Sequence, residues 1–148
     1  MPKVAPVTRR ILLATDLSAS AADAAEQAID LAADLRADLV ILSVIDASPR
    51  RRPDPTAARV DQVRAQREVA AQALVARGHD RGVGVQFLIW EGNPGDTIVD
   101  AATSENVDLV VVGSHGRGTV GRFFVGSVSE HVVRNAPCPV LVVRSQRV

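Results

Sequence analysis

The chain has 148 residues, of which 47% are apolar, and a formal net charge of zero. A chain of this size buries roughly 70% of its unfolded surface and needs no staples, so one domain over 1–148, with its core at about 9–145, is expected. The balanced charge argues against a nucleic-acid binder, which carries a basic face. The single cysteine, Cys138, excludes an internal disulfide. No stretch reaches the apolar length of a membrane span, and the first apolar run is too short for a secretory signal. A cytoplasmic protein without nucleic-acid or membrane partners is the expectation.

Taken in chain order, "RRILLATD" reads as a short buried strand at about 11–15. "SASAADAAEQAIDLAADLRAD" follows as a helix with Ala24, Ala28, Leu31 and Leu35 at helical spacing and Ser18 or Ser20 as its cap. "DLVILSVID" is a continuous apolar run of the kind buried on both faces of a sheet. Prolines at 49, 53 and 55 make a loop of "ASPRRRPDPT", whose arginines read as a solvated face. A second helix spans 57–80 and a third strand falls within 83–92. Asn93 caps a third helix with Pro94 in its first turn. "VDLVVVG" is a fourth strand, "SVSEHVVRNA" a fourth helix and "PCPVLVVR" a fifth strand. Strands alternating with helices imply parallel pairing by right-handed crossovers. The fold class is therefore α/β: an open five-stranded parallel sheet, Rossmann-like, with helices on both faces. Ligands of such sheets bind beyond the carboxyl ends of the strands, where strand order reverses. "ATDLS", "SVID" and the glycine-rich loop after the fourth strand stand at such ends.

That loop runs "GSHGRGTVGRFFVGS" from Gly113 to Ser127. A Walker loop needs a lysine after its last glycine, and Lys3 is the only lysine of the chain. A dinucleotide fingerprint is present as Gly116, Gly118 and Gly121, but no helix follows it directly and residues 136–144 contain no acid for a ribose. The more informative spacing is Gly113, Gly116, Gly126 and Ser127, or G-x2-G-x9-G-S, between a strand and a helix. A helix start offers unpaired N–H groups and the positive end of its dipole. Glycines let further N–H groups converge, giving an anion site built from main chain.

This spacing, with "ATDLS", "LSVID", "GNPGDTIVDAA", "DLVVVGSHGRG" and "GSVSEHVVRNAPCPVLVV", resembles the universal stress protein family over the whole chain. The resemblance implies an adenine nucleotide alpha hydrolase-like fold. It also implies the ATP-binding subtype, since all three glycines and the hydroxyl are present. Gly113, Gly116, Gly126 and Ser127 would contact phosphates and ribose, with Val128 and Ser129 contributing from the first helical turn and Val112, Ser114, His115 and Arg117 completing the nucleotide-binding set. Ala14, Thr15 and Asp16 lie where the family contacts the nucleoside and its metal, and the Val44 backbone lies where it reads the adenine edge. Mg2+ or Mn2+ would be held mainly by the phosphates, with Asp16 as a further candidate. The last strand would pair with its copy in a homodimer. An uncovered apolar edge strand is a liability in a monomer, which supports this independently. Nucleotide binding would order the segment from Ser114 to Val125 for an unidentified regulatory partner.

Blander readings stand beside these. Ser127 and Glu130 form an S-x-x-E capping box that needs no ligand. Asp16 serves equally as a helix cap. His115 and Arg117 suit a solvated loop as well as a phosphate, and Cys138 reads as a buried inert thiol. His79 and His131 have no partner at metal-ligand spacing. No catalytic residue is assigned, and hydrolysis, if any, is slow, with Asp16 or His115 as the available base. A weak ATP hydrolase and a protein-interaction module without turnover are the alternatives to a nucleotide-dependent regulator.

Overall fold

The structure, a computed structural model, describes residues 9–46, 57–114 and 126–144. Five strands, β1 (Arg10–Ala14), β2 (Asp38–Ile45), β3 (Val85–Glu91), β4 (Leu109–Gly113) and β5 (Val140–Val143), alternate with four helices, α1 (Ala22–Leu35), α2 (Ala57–Asp80), α3 (Pro94–Ser104) and α4 (Ser127–Asn135). The strands form one parallel sheet in the order β3-β2-β1-β4-β5. The sequence-based fold class is thus the observed one. Strand order reverses at β1, which pairs with β2 on one side and β4 on the other.

Side chains alternate along a strand, and both faces of this sheet are covered. Ile11, Leu13, Leu39, Ile41 and Val111 point to the face where α1 packs, with Leu74 of α2 against the same cluster. Leu12, Val40, Leu42, Val110 and Val112 point to the other, under Ile98, Ala101 and Ala102 of α3 and Val132 of α4. This explains why β2 lacks polar–apolar alternation: Leu39 to Leu42 are all buried.

Helix α1 approaches the sheet closely because its buried stripe is small: Ala24, Ala25, Ala28, Ile29 and Ala32. Leu35, expected on that stripe, is 44% exposed. The helix ends there, with Arg36 in the left-handed conformation at φ 54°, so Leu35 lies where the chain already turns away. Neither candidate serine caps α1 through its side chain; a 3-10 turn over Ala19–Ala21 precedes the helix, and Ser18 opens that turn with no side-chain cap bond. Asn93 does cap α3, its side chain accepting the Asp96 N–H at 3.2 Å with Pro94 in the first turn. The α3 start is also held to α4, where His131 Nε2 lies 2.9 Å from Asp96 Oδ1. The imidazole covers Gly95 so closely that a Cβ there would lie 2.8 Å from a ring carbon.

Leu13 is fully buried in the central strand, against α1. Leu13→Ala leaves a cavity that a sheet paired on both sides of β1 cannot close, so the unfolding free energy should fall by about 2–5 kcal/mol, measured by urea denaturation.

Candidate functional site

Three chain segments meet the carboxyl end of the sheet around the reversal at β1. The first is the exit from β1. Thr15 Oγ1 accepts the Leu17 N–H at 3.0 Å, and Asp16 Oδ1 accepts the Ser18 N–H at 2.9 Å. These two side-chain turns hold Leu17 at φ 64°, a conformation that costs a non-glycine residue roughly 1–2 kcal/mol. Asp16 is thus engaged in a turn before the helix; the alternative of Asp16 as the cap of α1 is not what the structure contains, since Ala21 stands at that cap.

The second segment is the end of β2. Peptide groups along a strand face its two neighbours alternately. Leu42 O accepts the Thr15 N–H at 3.0 Å, so Leu42 faces β1; Ile45 O accepts the Gly92 N–H at 3.1 Å, so Ile45 faces β3. Val44, two residues beyond Leu42, therefore turns its N–H and C=O towards the β1 side, past that Thr15–Leu42 bond. Its side chain packs into the core, so any recognition by Val44 belongs to its backbone. Its carbonyl accepts a hydrogen bond from Arg67 Nη1 of α2 at 2.7 Å.

The third segment joins β4 to α4. Ala14 and Val112 are register partners, so β1 and β4 end abreast. Ser114 O accepts the Gly126 N–H at 2.9 Å, and Ser129 Oγ donates to Gly113 O at 2.8 Å. Both bonds fasten the first turn of α4 to the strand end. Gly126 suits this approach, as a Cβ there would stand 3.2 Å from Ser114 O and push the two backbones apart. The N–H groups of Ser127, Val128 and Ser129 open the helix, where helix geometry supplies no intrahelical acceptor and the dipole favours an anion. The Val128 side chain packs into the core, leaving its N–H as the group it can offer. Beside them the Ser114 hydroxyl is buried and has no hydrogen-bond partner among the described residues. A buried polar group without a partner costs about 1–3 kcal/mol, which a bound acceptor or donor would relieve.

The S-x-x-E capping box does not form. The cap is Gly126, held by Ser114 O, and no side chain bonds there. Ser127 is consequently the first helical residue, and Glu130 is one position too late to reach back. Glu130 pairs instead with Arg134 at 2.9 Å.

Among the predicted site residues, then, the structure gathers Val112, Gly113, Ser114, Gly126, Ser127, Val128 and Ser129 at one strand end, with Ala14, Thr15 and Asp16 leaving the adjacent strand and Val44 on the other side of β1. His115, Gly116 and Arg117 lie outside the described residues. Cys138, expected as a buried thiol, is partly buried, and its thiol pKa is raised by desolvation and then by the charge of Asp108. Among the described residues no cluster of His, Cys, Asp or Glu has metal-binding geometry, and no helix is long and apolar enough to cross a membrane. Arg67 is the neighbour of the site that sequence reasoning missed. Its signal was available: residues 64, 67, 71, 74 and 78 share one face of α2, and that stripe begins with two arginines.

Ser129→Ala removes the side-chain bond that seats α4. Stability should drop by about 1–2 kcal/mol, seen as a lower denaturation midpoint, and amide exchange at the start of α4 should accelerate more than in β1.

Comparison with known proteins places this geometry. The model of the universal stress protein family matches residues 8–144. A protein of Thermus aquaticus named as a universal stress protein is 37% identical over 138 residues, covering 92% of this chain and 98% of the relative. Among solved structures, the universal stress protein UspA of Lactobacillus plantarum superposes with a TM-score of 0.74 at 29% identity, covering 95% of this chain and 100% of the other. A universal stress protein solved in complex with cAMP superposes with a TM-score of 0.70 at 25% identity, covering 94% of this chain and 98% of the other.

Proposed function

This chain belongs to the universal stress protein family, and we propose that it binds an adenine nucleotide, ATP foremost, and acts as a homodimeric nucleotide-dependent regulator. One observation carries the reading: the N–H groups that open α4 are fastened against the end of β4, beside a buried hydroxyl that has no partner among the described residues. That is a donor set for phosphate assembled from main chain and serine, as the absence of a suitably placed lysine requires. Charge-assisted bonds contribute roughly 1.5–3 kcal/mol each. Three or four, less ordering costs, support micromolar binding, about −8 kcal/mol.

Each segment then has a task. Gly113, Ser114 and the first turn of α4 hold phosphate, with His115, Gly116 and Arg117 adding to the cradle. Asp16 and Thr15, at the exit of β1, meet the ribose and the divalent cation, Mg2+ or Mn2+, which the phosphates chiefly hold. Val44 turns its N–H and C=O to one side of β2, where the base edge is read: the N–H faces N1 of adenine, and the C=O, which also accepts from Arg67, lies on the side of the amino group. The relative solved with cAMP supports an adenine nucleotide as the class; the G-x2-G-x9-G-S spacing favours the triphosphate. The product of binding is an altered surface around residues 114–125 that a regulatory protein reads. Turnover is at most slow.

Titration calorimetry with ATP and Mg2+ should give saturable micromolar binding that Gly116→Val abolishes. Absence of heat, together with absence of competition by other nucleotides, would defeat the nucleotide reading.

The dimer uses β5. This strand lies at the sheet edge, and its four residues are all half-buried valine or leucine. The carbonyls of Pro139 and Val143 accept from β4, so the peptide groups of Val140 and Val142 face outward. Val142→Pro removes an outward N–H while leaving the β4 ladder intact. Light scattering should register the wild type at twice 15.7 kDa and the variant at the monomer mass.

A further inference from the structure

The inward stripe of α2 is unusual for a helix lying on a sheet. Ala71 and Gly78 are buried and Leu74 packs against the core, as a covering helix requires. One and two turns earlier, towards the carboxyl ends of the strands, the same stripe carries Arg67 and Arg64. Arg64 is accounted for: it forms an ion pair with Glu91 at 2.8 Å, at the end of β3. Arg67 does something different. Its Nη1 donates to the fully buried Ser43 Oγ at 2.8 Å and to Val44 O at 2.7 Å. A half-buried guanidinium thus reaches over β2 to the carbonyl that faces the β1 side beyond the Thr15–Leu42 bond.

We propose that Arg67 is a specificity-determining residue: by holding the Val44 carbonyl, it weakens the reading of an exocyclic amine and leaves the Val44 N–H as the main discriminator of the base. This rests on the nucleotide reading given above and concerns the base end of the same site. The chemistry is a competition for one acceptor. A carbonyl has two lone pairs, so a second donor is admitted, but an oxygen that already accepts a charge-assisted bond, roughly twice as strong as a neutral one, is a poorer acceptor for a neutral amine. With Arg67 in place, the amine of adenine meets an oxygen already engaged by a cation. The ring nitrogen N1 still accepts from the Val44 N–H. The wild-type site therefore takes purines with an acceptor at N1, whether or not an amino group stands at position 6. Sequence separation explains how the device is built: Ser43 aims its hydroxyl at the α2 face, and this second acceptor anchors the guanidinium where a single carbonyl would not.

The test compares two nucleotides on three proteins. ATP and purine riboside 5′-triphosphate differ only in the amino group. Wild type should bind them within about twofold of each other. In Arg67→Leu, the released carbonyl accepts the amine, and ATP should gain a preference of about three- to tenfold, the range of one neutral hydrogen bond. Because Arg67→Leu strands the buried Ser43 hydroxyl, the pair Arg67→Leu with Ser43→Ala removes both partners and should show the same preference in a fully folded protein. A ratio unchanged between wild type and both variants overturns the proposal, as does a wild type that already prefers ATP tenfold. Binding of neither nucleotide by any of the three overturns it together with the nucleotide reading, whereas equal ratios with retained binding overturn this inference alone.

Discussion

The hydrogen bond from the Thr15 amide to the Leu42 carbonyl joins the exit of β1 to β2, and the features of the site lie at or beyond it. β1 is central and shorter than β2. Past that bond, β1 leaves through two side-chain turns that keep Leu17 in a left-handed conformation. β2 continues, with the peptide groups of Val44 facing the side β1 has left. β4 stops abreast of β1, and α4 starts from its end. A site of this kind follows from strand lengths and strand order, before any ligand-specific residue is considered.

Polar chemistry at this end is balanced by packing beneath it. Val112, Val128 and Val44 belong to the core on the α3 and α4 face, so the main-chain groups they present are set by apolar burial. The Ser129 side chain is buried and bonded to Gly113 O, which makes the helix start rigid relative to the strand. A donor array held this way loses little entropy on meeting an anion, the condition under which main-chain groups replace a lysine.

Much of this was legible in the chain. The order of elements follows from apolar runs alternating with helical periods, and α2 spans the predicted 57–80 because neither Pro nor a strong turn signal interrupts it. Asn93 with Pro94 marked α3 because that cap is local. The failures are instructive in the same terms. Ser127 with Glu130 satisfies a local rule, yet a long-range bond from Gly126 to Ser114 O decides where the helix begins. Leu35 fits the helical period but falls where Arg36 already turns the chain. Arg67 acts across 23 residues on a carbonyl, and no local pattern encodes that distance; the clue lay in the wrong residue type on an inward face.

The imidazole of His131 lying over Gly95 makes two distant positions a single unit of sequence change. A side chain at 95 is admissible only if 131 becomes small or moves, and either change takes the imidazole away from Asp96. Substitutions at the two sites should therefore be non-additive, with the order of their acquisition constrained. A drifting lineage would have to replace or displace the histidine before it could gain a methyl group at 95, and that first step would loosen the start of α3 from α4.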